Sequence, residues 1–220
     1  MLSYIILALF LIAAALNIAG TTKGREKLFA ATKPLLLSLL CLYSVWRTFP
    51  EPDILLAAAL FACFLGDVLL MPKGNGWFVA GGLSFFAGHV MLSVIFARRV
   101  DFSHLPLRLL IPAAILYIAA AVAVMARSRR KAPILMTIPM FLYLLCNCAT
   151  NLFALAWLVE SPGIWQAAAY AGAALFFVSD SALYLMRFGP DRPRFYRTNS
   201  FVMLTYISAV LLITLGLTGA

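Results

Sequence analysis

Residues 2–20 read LSYIILALFLIAAALNIAG, nineteen positions without a charged side chain. That length matches the roughly 20 apolar residues an α-helix needs to cross a bilayer. Similar runs fill most of the chain and give eight spans, at about 2–20, 33–48, 53–71, 77–97, 107–126, 133–159, 163–187 and 200–218. A membrane admits only helices and closed barrels, because no backbone polar group can be left unsatisfied in hydrocarbon. Barrel strands would alternate apolar and polar residues over short segments, and these runs are long and continuous, so helices win. The expected fold is therefore an all-α membrane protein: one integral membrane domain over residues 1–220, with eight transmembrane helices in one bundle.

Composition agrees. Of the 220 residues, 64% are hydrophobic and 11% charged, and the mean hydropathy is +0.99. A soluble domain is roughly half apolar and a quarter charged, and could not hide this much apolar surface. Pro34, Pro133 and Pro162 read as residues at or just before helix starts. Pro50 and Pro52 separate the second span from the third, and Lys73-Gly74-Asn75-Gly76 reads as a tight turn. The first span lacks a basic leading segment and a small-residue cleavage site, which reads as a retained helix rather than a signal peptide. Cys41, Cys63, Cys146 and Cys148 all fall in apolar runs and read as small buried hydrophobes. Cys146 and Cys148, two apart on a helix, point different ways, which argues against a disulfide or a metal pair.

The formal net charge of +9 would suggest nucleic acid in a soluble protein. Here the basic residues sit in short loops, with no basic helix face and no aromatic-basic interleaving, so nucleic acid is excluded. Topology and anionic lipid headgroups explain the charge. Lys23, Arg25, Lys27, Lys33, Lys73, Arg127, Arg129, Arg130, Lys131, Arg187, Arg192, Arg194 and Arg197, 13 of the 17 basic residues, fall in the odd-numbered loops. Arg47, Arg98, Arg99 and Arg108 fall in the even ones. The positive-inside rule then puts the odd loops in the cytoplasm and both termini outside. The expected location is the cell (inner) membrane. A short internal similarity joins Phe64-Leu65-Gly66-Asp67 to Phe177-Val178-Ser179-Asp180, four spans later. It suits a four-plus-four duplication with parallel halves.

Function must rest on the few polar groups inside the spans. Only two acidic residues lie there, Asp67 and Asp180. A carboxylate within a span costs about 2.5–3.5 kcal/mol on insertion scales, so it faces the bundle interior, either to act or to fix packing. In the expected orientation both lie towards the cytoplasmic leaflet, where they would share one polar cavity opening to that side. Lys33, before Pro34, suits pairing with a carboxylate, meeting a lipid phosphate or simple snorkelling. His89 suits a proton relay, the orientation of a carboxylate or a satisfied core position. Tyr143, Asn147 and Asn151 recur every four residues and form one polar stripe, fit to line a cavity or to join helices. Tyr184 and Tyr206 read as hydroxyls near a site or as interfacial aromatics. Gly81, Gly82 and Gly88 read as points of close helix packing.

Thr32-Lys33-Pro34-Leu35, Leu65-Gly66-Asp67-Val68-Leu69-Leu70-Met71, Ser84-Phe85-Phe86-Ala87-Gly88-His89 and Leu175-Phe176-Phe177-Val178-Ser179-Asp180-Ser181 together resemble the YhhN-like family, whose characterised members are lysoplasmalogenases. Each motif alone is weak; four in order, over nearly the whole chain, are fairly specific. The last helix departs from the family's pattern, since Thr205-Tyr206-Ile207-Ser208-Ala209-Val210 lacks one tyrosine and a glutamine. The resemblance implies hydrolysis of the vinyl ether bond of lysoplasmalogens (lysoplasmenylethanolamine or lysoplasmenylcholine) to a fatty aldehyde and a glycerophospho-alcohol. It implies no cofactor, and no metal cluster of known spacing is present in the sequence. The expected partners are the lysophospholipid substrate and membrane lipids, with no obligate protein partner.

Vinyl ether hydrolysis passes through protonation on carbon and an oxocarbenium ion, so it asks for a proton donor and a carboxylate, as glycoside hydrolysis does. Asp67 and Asp180 are the expected catalytic pair, one protonated and one ionised. Lys33 would tune them or hold the phosphate. His89, Ser179 and Asn147 would orient water, with Tyr143 and Tyr206 around them. The leading alternative is a proton-coupled small-solute or lipid transporter, which also uses membrane carboxylates. An intramembrane aspartyl protease ranks lower, because the residues before Asp67 are Phe64-Leu65-Gly66 rather than Gly-x-Gly. A purely structural membrane protein ranks last.

Overall fold

The computed structural model describes residues 1–128, 131–132, 134–189 and 198–219. Among them are eight α-helices: α1 (Leu2–Thr22), α2 (Glu26–Arg47), α3 (Ile54–Leu69), α4 (Asn75–Ala97), α5 (Leu107–Ser128), α6 (Ile134–Glu160), α7 (Ile164–Phe188) and α8 (Asn199–Gly219). One 3-10 turn, Phe102–His104, lies between α4 and α5, and no strand occurs among the described residues. Seven helices are long and apolar enough to cross a membrane; the exception is α3, with 16 residues. The protein is a multi-pass membrane protein. Helix α5 shows this most plainly, with Ile111, Ile115, Leu116 and Ile118 all exposed on it. The expected helix start at Pro133 and the loop positions Arg129, Arg130, Asp191, Arg192, Arg194 and Arg197 lie outside the described residues.

Two expected boundaries are corrected. The second helix begins at Glu26 rather than at 33, so Lys33 and Pro34 sit inside it. Residues 26–33 are mostly good helix formers, and they carry the helix through the one bond that Pro34 removes. The short helix is the third, not the second. Asp53 caps its start by accepting a hydrogen bond from the Leu56 amide at 3.0 Å. Its end falls before Met71, whose helical conformation Pro72 disfavours. Of the expected turn Lys73-Gly74-Asn75-Gly76, Lys73 and Gly74 lie before α4, with Gly74 at φ 137°, whereas Asn75 and Gly76 form the first turn of that helix.

The chain divides into two compact units, residues 1–92 (with Gly219) and 93–218. In the first, α1 packs on α2 and α2 on α3, and α1 and α2 are joined through Gly24 at φ 63°. Helix α4 meets α3 through glycines. A methyl group at Gly66 would fall 2.6 Å from the Phe85 ring, and one at Gly88 would fall 2.8 Å from Cys63 Sγ. The Ser84 hydroxyl crosses this seam to donate to the Ala62 carbonyl at 2.9 Å. In the second unit α5 packs on α6 and α7, and α6 on α7. Its α7–α8 seam is also close, and at Gly172 it brings two helix backbones together.

Hydroxyl groups within the helices mostly bond their own backbone one turn back, as Thr214 does to Val210 and Thr218 to Thr214. This satisfies them without a partner helix. The Arg99 guanidinium stacks on Trp157 at 5.0 Å and donates to the Leu217 carbonyl at 3.3 Å, closing the C-terminal end of α8. In the α4–α5 loop the Asp101 carboxyl lies below its ordinary pKa, because the Ser103 amide donates to it and His104 stands beside it.

A methyl at Gly172 would lie 2.7 Å from the Ala209 carbonyl oxygen and 2.8 Å from the Ile213 amide nitrogen. Backbone atoms cannot swing away, and small residues at such seams are what let membrane helices approach. Gly172→Leu is expected to destabilise the protein by about 2 kcal/mol or more. Gly82→Ala, with open space around the position, is expected to be silent. Unfolding midpoints of the two variants in the same detergent check this.

Candidate functional site

Two polar clusters stand out, one in each unit. In the first, Lys33 on α2 reaches Asp67 on α3, with Nζ 3.3 Å from Oδ1 and side chains only 10% and 3% exposed. The ammonium also lies 5.7 Å from the centre of the Phe29 ring, one turn back along α2. Both charges have left water, and each is tolerated because the other compensates it. Asp67 sits in the last turn of α3, just after Gly66, against which the Phe85 ring of α4 packs.

His89 is 1% exposed. It lies on α4, one turn after Phe85. The unit thus holds a buried cation, a buried carboxylate and a buried imidazole.

In the second unit Asp180, on α7 and 7% exposed, takes two hydrogen bonds on the same oxygen. The Tyr143 hydroxyl donates to Oδ2 at 2.5 Å and the Asn147 amide at 2.8 Å. Both donors come from α6, one turn apart. The third member of the stripe, Asn151, donates to Asn147 Oδ1 at 3.0 Å and to the Asn147 carbonyl at 2.9 Å. That contact fixes which way the Asn147 amide faces, because its oxygen is held by Asn151 and its nitrogen is turned to Asp180. The stripe therefore holds a carboxylate and joins two helices at once.

The remaining expected residues lie around these clusters. The Ser179 hydroxyl donates to the Val202 carbonyl of α8 at 3.0 Å. Tyr206 is buried, with its ring edge-on to Phe176 at 5.4 Å. Tyr184 is buried and packs on Phe188 at 5.1 Å. No disulfide joins the four cysteines, and no group of three His, Cys, Asp or Glu side chains gathers as a metal site would among the described residues.

One residue was overlooked in the sequence. Asn17 lies in α1 with no exposed surface, and its amide donates to Thr32 Oγ1 at 3.0 Å, beside Lys33. The signal was present as the one carboxamide in the first apolar run.

The YhhN family model matches residues 28–217 of this chain. No curated protein and no solved structure matches it.

Proposed function

Because the chain belongs to the YhhN family, we propose that it is a lysoplasmalogenase. In this reading it hydrolyses the vinyl ether bond of lysoplasmenylethanolamine or lysoplasmenylcholine, releasing a fatty aldehyde and the glycerophospho-alcohol. Family membership supports the reaction class. The observation that carries the mechanism is Asp180, a carboxyl group inside an apolar helix, aligned by the Tyr143 hydroxyl and the Asn147 amide.

Asp180 in its protonated form gives its proton to the vinyl carbon remote from oxygen. The electron pair of the double bond forms the new C–H bond, and the ether oxygen stabilises the resulting oxocarbenium ion. Water adds to the cationic carbon, and the Asp180 carboxylate accepts the proton it loses. Asp180, protonated again, gives that proton to the glycerol oxygen as the hemiacetal's bond to it breaks, and takes back the hemiacetal's hydroxyl proton, leaving aldehyde and alcohol. A carboxyl group acting as acid and then as base is the pattern of retaining glycosidases. Tyr143 and Asn147 hold the carboxyl so that its proton is aimed, and the apolar helices hold the hydrocarbon chain.

Asp67 is the second catalytic carboxylate in this reading. Its ion pair with Lys33 supports a charge-tuning role for that lysine in preference to phosphate binding. His89 and Ser179 remain proposed water-orienting groups, and Tyr206 a lining residue. In the same reading all eight helices cross the cell membrane, the odd-numbered loops are cytoplasmic, and the site opens to the cytoplasmic leaflet. The four-plus-four duplication gains support from a shared plan. In each unit a carboxylate on α3 or α7 is met by donors from the preceding helix, α2 or α6.

The buried Lys33–Asp67 pair also favours a second reading, proton-coupled transport. One experiment separates the two. Purified protein is given lysoplasmenylethanolamine and lysoplasmenylcholine, with a saturated ether lysolipid as control, and free aldehyde is measured. Aldehyde from the vinyl ethers alone is expected. Its absence from both, together with substrate-dependent proton flux in liposomes, would overturn the hydrolase reading.

A further inference from the structure

Pro34 has no amide hydrogen to give the Ala30 carbonyl, and its ring crowds that carbonyl, so α2 has a weak point one residue after Lys33. The direction in which Lys33 leaves the helix depends on how the turn before the proline is held. Side-chain bonds hold it, among them a contact of Thr32 Oγ1 with the Phe29 carbonyl at 3.3 Å. The Asn17 amide donates to the Phe29 carbonyl at 3.3 Å and to Thr32 Oγ1 at 3.0 Å, while Thr32 Oγ1 donates to the Leu28 carbonyl at 2.7 Å. Gly20, one turn after Asn17, lets α2 come close enough for this, since a methyl there would lie 3.0 Å from the Phe29 amide nitrogen.

A fully buried carboxamide in a membrane helix is expensive and needs a reason. Both bonds of the Asn17 amide nitrogen fall on the turn that carries Lys33. We infer that Asn17 is a positioning residue. Through Thr32 and the Phe29 carbonyl it sets the α2 turn from which Lys33 reaches Asp67, so that α1, which precedes the stretch matched by the family model, is part of the site in the first unit. The functional weight of this inference rests on the proposal for Asp67, but its geometry does not.

The test reads Lys33 directly. The whole protein in detergent is treated with acetic anhydride, and acetylation of Lys33 is followed by mass spectrometry. In the wild type, burial and the Asp67 contact keep Lys33 slow, and Asp67→Asn provides the fast reference. Asn17→Leu is expected to label about tenfold faster than wild type, as the loss of a buried hydrogen bond implies. Thr32→Val removes the same bond from the other side and is expected to match it, with the double variant no faster than either single one. Phe10→Ala weakens α1 at another fully buried position without touching Thr32, and should leave Lys33 slow. Wild-type protection in Asn17→Leu, or equal labelling in Phe10→Ala, would overturn the inference. Faster labelling in Asn17→Leu supports it even if no aldehyde is ever released, in which case only the proposed reaction falls.

Discussion

Asp180→Asn is expected to lower aldehyde release by about 10²–10⁴-fold, the usual contribution of a positioned general acid or base. The substitution keeps the shape of the side chain and leaves Tyr143 and Asn147 an oxygen to bond, so the fold should survive. What it removes is the proton that the vinyl carbon must receive. Tyr143→Phe should fall between the two, losing about 10- to 100-fold, because it takes away one of the two hydrogen bonds that align the carboxyl but leaves the carboxyl in place. Rates on a vinyl ether lysolipid, read beside unfolding midpoints, check both. Full activity in a folded Asp180→Asn protein would remove Asp180 from the mechanism and leave Asp67 as the carboxylate to pursue.

The second large effect concerns the ion pair. Lys33→Met leaves the Asp67 carboxylate buried without its ammonium, 3.3 Å away in the native protein. Loss of one member of a buried pair typically costs about 3–5 kcal/mol, mostly through the charge left behind. The double replacement Lys33→Met with Asp67→Asn leaves no charge behind, and stability is expected to return most of the way. Aldehyde release is not expected to return with it if Asp67 serves the reaction. Measuring the unfolding midpoint and the rate on the same three proteins separates packing from chemistry. Equal stability of all three would mean that the pair carries little energy. An active double variant would mean that Asp67 has a structural role alone.

The helices were legible because hydrocarbon imposes a simple rule, about 20 apolar residues per crossing, and the sequence obeys it seven times. Their ends were less legible. Pro34 was read as a helix start because proline is commonest there. Side-chain bonds from α1, which no local pattern in α2 reveals, hold the turn around it. The acidic residues were easy to find, since charge is rare inside the spans. Their partners were harder. The spacing of Tyr143 and Asn147 put both on one face of α6, but it did not say that the face meets Asp180. The direction of the Asn147 amide depends on Asn151, a contact within one helix that becomes readable only when the side chains are in place. Asn17 shows the remaining gap, because an isolated asparagine in an apolar run carries no spacing to interpret.

The length of α3 has a consequence for the lipid around it. Its 16 residues rise about 24 Å, some 6 Å less than a typical hydrocarbon core. Ile54, Phe61, Leu65 and Val68 are exposed along it, so lipid tails lie against this helix if it crosses. Hydrophobic mismatch of that size is relieved by local thinning of the bilayer or by flanking residues reaching outward. Thinning would draw lipid headgroups and interfacial water inward beside the end of α3, the end that carries Asp67. A lysolipid diffusing in the leaflet would then meet the protein at a dimple, where its polar head already rides deeper than elsewhere in the membrane.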